Sequence, residues 1–358
     1  MGYLGASLHC INDGVATDPA CGSGNFLTET YISLRRLENE TISLLHKGQI
    51  MLDMGNPIQV SIGQFYGIEI NDFAVTVAKT ALWIAESQMM KETEDVVHMS
   101  LDFLPLKSYA NITEGNALRV DWESVISKWE LSYIMGNPPF VGHQWRSKEQ
   151  AEDMKIAFYD LEKHGKLDYV CAWYNKTIDY ISDTHIVSAF VSTNSIIQGE
   201  SVGILWRFLF DKGAEIQFAH RSFPWASESK VSATVHCVII GFSQGHLSTK
   251  KMLFDGNKHL AVDNINGYLL DAPIIFIQSR GKPLTKGITE MTKGSQPTDG
   301  GYLLLSQEER EQLISSYPDT NEFIRRFVGS DDLIKGKIRY CLWLKDVSPS
   351  KYRHIPPP

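Results

Sequence analysis

The sequence has no long apolar run. None approaches the roughly 20 residues that span a bilayer, although 43% of the 358 residues are hydrophobic. No basic start followed by an apolar middle opens the chain as a secretory leader would. The expectation is a soluble, cytoplasmic protein without a membrane partner. Cysteine is scarce as well. The five residues Cys10, Cys21, Cys171, Cys237 and Cys341 are scattered, odd in number and never in a C-x-x-C pair, which argues against a disulfide framework or a zinc site and for reduced thiols. Internal repeats and low-complexity tracts are missing too. Cationic charge is thin in the front of the chain: residues 1–142 carry 8 Lys and Arg against 17 Asp and Glu, net −9, whereas residues 280–358 carry 13 against 10, net +3. This imbalance is compatible with a small-molecule site in the first part and a polyanion contact in the last, and equally with ordinary variation of surface charge.

A chain of this length accommodates about two domains at roughly 150 residues each. β-Branched apolar clusters alternate with helical patterns, the signature of a parallel sheet covered by helices on both faces. The patterns predict strands near 13–18, 64–70, 110–115, 131–137, 185–193, 214–220 and 233–242, and helices over 25–47, 72–91, 166–182 and 200–212. The last two strands have only "RSFPWASESKVS" between them, so they are expected to form an antiparallel hairpin. A first domain is expected over 1–243. Residues 244–358 are richer in Gly, Pro, Lys and polar residues and form a smaller, less regular segment, in which "SQEEREQLISSYP" and "TNEFIRRFVG" read as helices.

Four motifs carry chemistry. In "ATDPACGSGNFLTETY", an acid ends an apolar approach and Gly22 and Gly24 open a helix. Such a turn lets backbone approach a ligand and aims free N–H groups at it; a plain structural turn is the alternative. Leu27 stands where a dinucleotide fold places its third glycine, so a cofactor lacking a pyrophosphate suits the loop better. In "FYGIEIND", Glu69 ends the second strand, where it can accept hydrogen bonds from the vicinal hydroxyls of a ribose. In "ITEGNALRVDW", Asn116 follows a short strand and is either a turn former or an amide partner for an adenine edge. The fourth is "YIMGNPPFVGHQW". Proline cannot continue a central ladder, so the strand stops at Asn137 and the chain leaves the sheet there. The amide oxygen of Asn137 and the carbonyl of Pro138 can accept the two hydrogens of a planar NH2 group, with Phe140 stacking on its ring. Two such acceptors help the delocalised nitrogen lone pair localise toward an incoming methyl group, and the stacked ring keeps it in line. A proline-rich turn over a packed aromatic is the bland alternative.

"DPACGSGNFL" followed by "GNPPF" resembles class I S-adenosylmethionine-dependent amino-group DNA methyltransferases. "DPACGSGNFLTETYISLRRLEN", "GSQPTDGGYLLL" and "KIRYCLWL" are similar to the MmeI-like restriction-modification family, in which one polypeptide joins an endonuclease, a methyltransferase and a target recognition domain. The resemblance covers nearly the whole chain. It implies a Rossmann-like, seven-stranded α/β sheet with the last strand antiparallel, S-adenosyl-L-methionine as cofactor, and methylation of the adenine amino group in double-stranded DNA. Asp18 and the loop through Gly24, with Ala20, Cys21 and Gly22, would hold the methionine part, Glu69 the ribose and Asn116 the adenine amino group, with Ile70 and Ala117 also binding the cofactor. Relatives usually carry an acid where this chain has Asn116. Asp168 and Trp173 fall in the stretch that closes over the cofactor. Asn137, Pro138 and Phe140 would be catalytic, with Pro139 and Phe223 on the target base. Arg280, Lys282, Lys293, Arg325, Arg326 and Arg339 are candidates for phosphates. Only 17 residues precede Asp18, and the recognition region stops soon after "CLWLKD". The chain is therefore expected to be continuous or associated with an endonuclease and a complete recognition domain. Cytosine, guanine in RNA or a protein glutamine carries the same kind of NH2 group, and a non-catalytic cofactor-binding module is a further alternative.

Overall fold

A computed structural model describes residues 14–46, 58–98, 111–225, 235–247, 250–277, 280, 283, 285–289 and 297–353. The chain divides into two compact units, Met1–Ser279 and Arg280–Pro358.

The first unit is built on a nine-stranded mixed sheet. Its strands are β1 (Ala16–Asp18), β2 (Phe65–Glu69), β3 (Asn111–Glu114), β4 (Tyr133–Gly136), β5 (Val187–Thr193), β6 (Ala214–Trp225), β7 (Val235–Gln244), β8 (Lys251–Asp255) and β9 (Lys258–Val262). They lie in the order β3-β2-β1-β4-β5-β7-β6-β8-β9. The first five are mutually parallel where they touch, and β7 is antiparallel to both β5 and β6. The expected hairpin is present, but the expected seven strands are too few. Beyond β6 the sheet continues with parallel β8 and antiparallel β9. These two short strands escape a reading of the sequence because "KMLFD" and "KHLAV" contain charge and are bounded by no long apolar run.

Helix α1 (Asn25–His46) follows β1, and α2 (Asp72–Val97) follows β2. The start of α2 is set by Asn71, whose side chain accepts from the Ala74 N–H at 3.0 Å, a standard N-cap satisfying one of the orphan donors. Both helices bury one face against β1–β3 through Leu27, Tyr31, Phe65, Ala78, Leu82 and Met89. Leu27, in the place of a third glycine, is fully buried in this core. On the other side, α3 (Lys148–Ala157), α4 (Cys171–Tyr180) and a helix spanning Gly199–Ser201, Val202–Trp206 and Arg207–Asp211, here α5, enclose a second core around Met154, Phe158, Tyr174, Phe190, Trp206 and Phe242. The middle of α5 is π-helical. The helix predicted over 166–182 is shorter at its start, because a 3-10 turn at His164–Lys166 and an extended Leu167 precede α4.

Two elements differ from the sequence expectation. α3 escapes it because five of its ten residues are charged; its capping box, Ser147 with Gln150, is nevertheless visible as S-x-x-Q. "TNEFIRRFVG" is not a helix. Ile324–Phe327 is strand β11, preceded by the 3-10 turn Pro318–Glu322 and paired antiparallel with β12 (Arg339–Leu342). Ile324 is buried while Arg325 and Arg326 are exposed, and a single buried position does not distinguish the two periodicities. With β10 (Leu304–Leu305), these strands form the small sheet of the second unit, beside helices α6 (Gln307–Ser316) and α7 (Ser330–Lys335). Arg339 is bound by both oxygens of Asp332 at 2.8 and 2.7 Å, which makes it a structural residue within its unit. Lys282 and Lys293 lie outside the described residues.

Among the described residues, no helix is long and apolar enough to cross a membrane.

Candidate active site

The strand order reverses at β1, with β2 on one side and β4 on the other. In an open α/β sheet the chains leave in opposite directions at such a point and open a crevice outside the carboxyl ends of the strands. The crevice here is a cavity of about 720 Å³. Its floor is made by Pro19 and Ala20 after β1, Ile68, Glu69 and Ile70 at the end of β2, Gly115, Asn116 and Ala117 after β3, and Asn137 and Pro139 after β4. Ser147, Glu149, Gln150 and Asp153 of α3 and its cap close one side, with Tyr169 and Trp173 behind them.

The turn after β1 is held from within. Asp18 is 1% exposed and accepts from the Ala20 N–H at 2.9 Å. Burial pushes its carboxyl up to about 7, with the Ala20 hydrogen bond working against this and the Glu69 charge adding to it. Gly22 and Gly24 both have positive φ, 53° and 82°, the region that favours glycine. At Gly24 a Cβ would also lie 3.0 Å from that of Ala78. The Gly22 N–H donates to Glu69 Oε2 at 2.9 Å, and the Asn71 N–H donates to Glu69 Oε1 at 3.0 Å. Each oxygen of Glu69 thus holds one backbone donor and keeps a lone pair, because a carboxylate offers about four acceptor positions. Cys21 is buried, and burial raises its thiol pKa, with Asp18 and Glu69 adding to the effect. Asp18, Cys21, Gly22 and Gly24 stand behind the cavity wall and shape it, whereas Ala20, Glu69, the exposed Ile70, Asn116 and Ala117 line it.

Asn137 is exposed at the end of β4, and among the described residues none hydrogen-bonds its side chain. Pro138 is buried beneath it, Pro139 is exposed, and the half-buried Phe140 packs on the second core. Phe140 is therefore beside the cavity and not in its wall. Gly136 explains how Asn137 comes so near the β1 turn: a Cβ at this position would lie 2.5 Å from Asp18 Oδ1. Adjacent parallel strands β1 and β4 close up only because that side chain is missing.

Asp168 is the main relocation. It does not line this cavity; it lines a separate one of about 830 Å³ with Gly142, His143, Lys166, Thr193 and Ser195. Its Oδ1 accepts from the N–H groups of Val141 at 3.0 Å and Val170 at 3.3 Å. The Tyr169 N–H donates back to the Val141 carbonyl at 3.0 Å. The segment 168–170 thus grips the chain immediately after Phe140. A motif position alone could not show on which side of the N-P-P-F loop the carboxylate falls. Trp173 does reach the cavity, and its indole N–H donates to the Pro19 carbonyl at 3.0 Å. Phe223 is half-buried inside β6, past a register shift between His220 and Phe223, and its ring centroid is 6.3 Å from that of Trp225. It stands outside the cavity wall.

One residue was not foreseen. Asp153 of α3 is 2% exposed and accepts from Asn116 Nδ2 at 3.0 Å, Arg119 Nε at 2.6 Å and the Tyr169 hydroxyl at 2.7 Å. Burial would raise its pKa, but the hydrogen bonds from Tyr169, Asn116 and Arg119 outweigh it and hold the carboxyl below its ordinary value. Seeing it in sequence required recognising α3 first.

The family model for the MmeI DNA-methyltransferase domain matches residues 6–255, and that for the MmeI target recognition domain matches residues 271–357. The chain is 42% identical over 343 residues to "DNA methyltransferase A" of Bacillus subtilis (strain 168), a match that covers 95% of this chain and 39% of that protein. It is 27% identical over 172 residues to a putative type II restriction enzyme and methyltransferase of Methanocaldococcus jannaschii, covering 47% of this chain and 13% of that protein. The solved structure of the Type IIL restriction-modification enzyme MmeI in complex with DNA superposes with a TM-score of 0.93 at 39% identity, covering 99% of this chain and 48% of that one. The chain spans less than half the length of each of these relatives. With both family models satisfied in succession along it, the chain belongs to the MmeI family of DNA methyltransferases, with a target recognition segment after the methyltransferase region.

Proposed function

We propose that this chain transfers the methyl group of S-adenosyl-L-methionine to the exocyclic amino group of adenine in double-stranded DNA, as part of a longer restriction-modification polypeptide. The observation that carries the reading is the Asn137 amide, exposed and free of hydrogen bonds among the described residues, on the wall of a nucleoside-sized cavity at the sheet's switch point.

The residues fit the cofactor. A cavity of about 720 Å³ lies within the usual range for small-molecule sites, roughly 300–1,000 Å³. The spare lone pairs of Glu69 suit the two ribose hydroxyls, and Ile70 and Ala117 offer apolar surface for a purine. Trp173 fixes the Pro19 backbone, and the Asp18 carboxylate holds the turn that faces the cationic end. When bound, the cofactor supplies an electrophilic methyl group on a sulfonium. The protein's work is to hold the amino group. The Asn137 amide oxygen and the Pro138 carbonyl accept its two hydrogens, which draws the nitrogen lone pair out of the ring; no strong base is needed. Phe140 and Phe223 bracket the extruded base. Their contact offsets part of the few kcal/mol needed to take it from the helix. Asp168 anchors Val141 and so fixes the loop that carries these acceptors. The second unit, through exposed residues such as Arg326, contacts phosphates and directs the site to its sequence.

The test is transfer from labelled S-adenosylmethionine to unmodified duplex DNA by the full-length protein, followed by digestion to nucleosides. Label in N6-methyldeoxyadenosine is the expected result. Label in a methylated cytosine, or in no nucleoside, would overturn the adenine reading.

A further inference from the structure

Asn116 lines the cavity, and the buried Asp153 of helix α3 accepts a hydrogen bond from its side-chain amide. Resting on the cofactor reading above, we propose that Asp153 is a positioning residue that fixes the Asn116 amide with its oxygen facing the adenine amino group of the cofactor.

The argument starts from the ambiguity of an amide. Oxygen and nitrogen are nearly the same size, so a lone asparagine can present either a donor or an acceptor to a ligand. Two groups remove the choice here. Asp153 Oδ2 accepts from Asn116 Nδ2 at 3.0 Å, and the Leu118 N–H donates to Asn116 Oδ1 at 3.0 Å. A flipped amide would face a carboxylate with an oxygen and a backbone N–H with an NH2 group. In the observed orientation, Oδ1 keeps one lone pair, and Asn116 lines the cavity. That lone pair suits a 6-amino purine and repels a 6-oxo purine. Asp153 is itself held by Arg119 at 2.6 Å and Tyr169 at 2.7 Å, and the Ser147–Gln150 capping box sets the start of its helix. Its three donors hold it in place as a support for Asn116.

The experiment compares binding of S-adenosylhomocysteine and S-inosylhomocysteine, which differ in the 6-amino and 6-oxo groups, to the full-length protein by calorimetry. The wild type is expected to prefer the amino compound about 10-fold, the worth of one hydrogen bond of ordinary strength. Asp153→Ala is expected to bring the two affinities within about 2-fold of each other. Asn116→Asp alone sets two carboxylates side by side and is expected to weaken binding of both compounds. The exchange Asn116→Asp with Asp153→Asn returns one acid and one amide to the pair and is expected to restore the preference, a result that a merely structural Asp153 would not produce. The proposal is overturned if Asp153→Ala keeps the wild-type preference, or if the exchanged protein, folded by its melting curve, fails to regain it. A wild type that binds both compounds equally sinks the Asn116–Asp153 assignment and leaves the cofactor reading standing. A wild type that binds neither sinks both.

Discussion

Replacing Asp18 by asparagine isolates a single buried charge. Asp18 is 1% exposed and its carboxyl titrates near 7 instead of 3.8, chiefly through burial. An acid with a raised pKa in the folded state binds a proton on folding at any pH between the two values. Stability therefore falls as pH rises from about 4 to about 7 and stays low above that. A displacement of roughly three units corresponds to at most about 4 kcal/mol, since each unit is about 1.4 kcal/mol. The substituted amide keeps an acceptor for the Ala20 N–H and carries no charge. The Asp18→Asn protein should match the wild type in urea unfolding near pH 3 and exceed it by about 2 to 4 kcal/mol at pH 8, with the difference appearing between about pH 4 and pH 7. Other titrating groups cancel in the comparison. Equal pH profiles for the two proteins, or a variant less stable at pH 8, would refute the idea that Asp18 is strained by burial. The same charge should serve ligand binding: affinity for a cationic cofactor is expected to rise with pH through about 7 in the wild type and to be flat in the variant.

Gly136→Ala drives a Cβ to 2.5 Å from Asp18 Oδ1, and the shift this forces between β1 and β4 should cost about 1–3 kcal/mol in denaturant unfolding; an unchanged midpoint would show that the strands have slack. Glu69→Gln removes the charge shared by the Gly22 and Asn71 N–H groups, and cofactor affinity should fall at least about 10-fold, measured by calorimetry. Asp168→Ala frees Val141 but leaves the cofactor cavity intact, so single-turnover transfer should slow markedly while the cofactor Kd stays within about 2-fold; a parallel loss of binding would return Asp168 to the cofactor site.

The parts of the site most legible in sequence were those where backbone geometry forces residue identity. Gly22 and Gly24 were readable because positive φ selects glycine, and the strand end at Asn137 because proline cannot continue a ladder. Glu69 was readable as the acid that ends the second strand. The parallel pairing of β1 to β5 followed from the alternation of strands and helices. Legibility failed where one position serves two patterns. Ile324, Arg325 and Arg326 fit a helix or an edge strand equally, and pairing with β12 decided the matter. It failed again where a helix is too polar to announce itself: α3 carries the cavity's second wall and Asp153, yet little but its capping box marks it. Asp168 was assigned from motif position, which fixes sequence order but cannot tell which side of a loop a side chain takes. Asn116 was seen as an amide near an adenine; that its orientation is set by a carboxylate 37 positions away is a tertiary fact with no local signature.

The account turns on the Asn137 amide acting on the target while taking no part in holding the cofactor. Asn137→Ala in the full-length protein, measured in parallel for S-adenosylmethionine binding and for single-turnover methyl transfer to duplex DNA, separates the two. Unchanged affinity with transfer reduced by about 100-fold or more is the result the account predicts. Equal loss of both, or transfer at the wild-type rate, would contradict it.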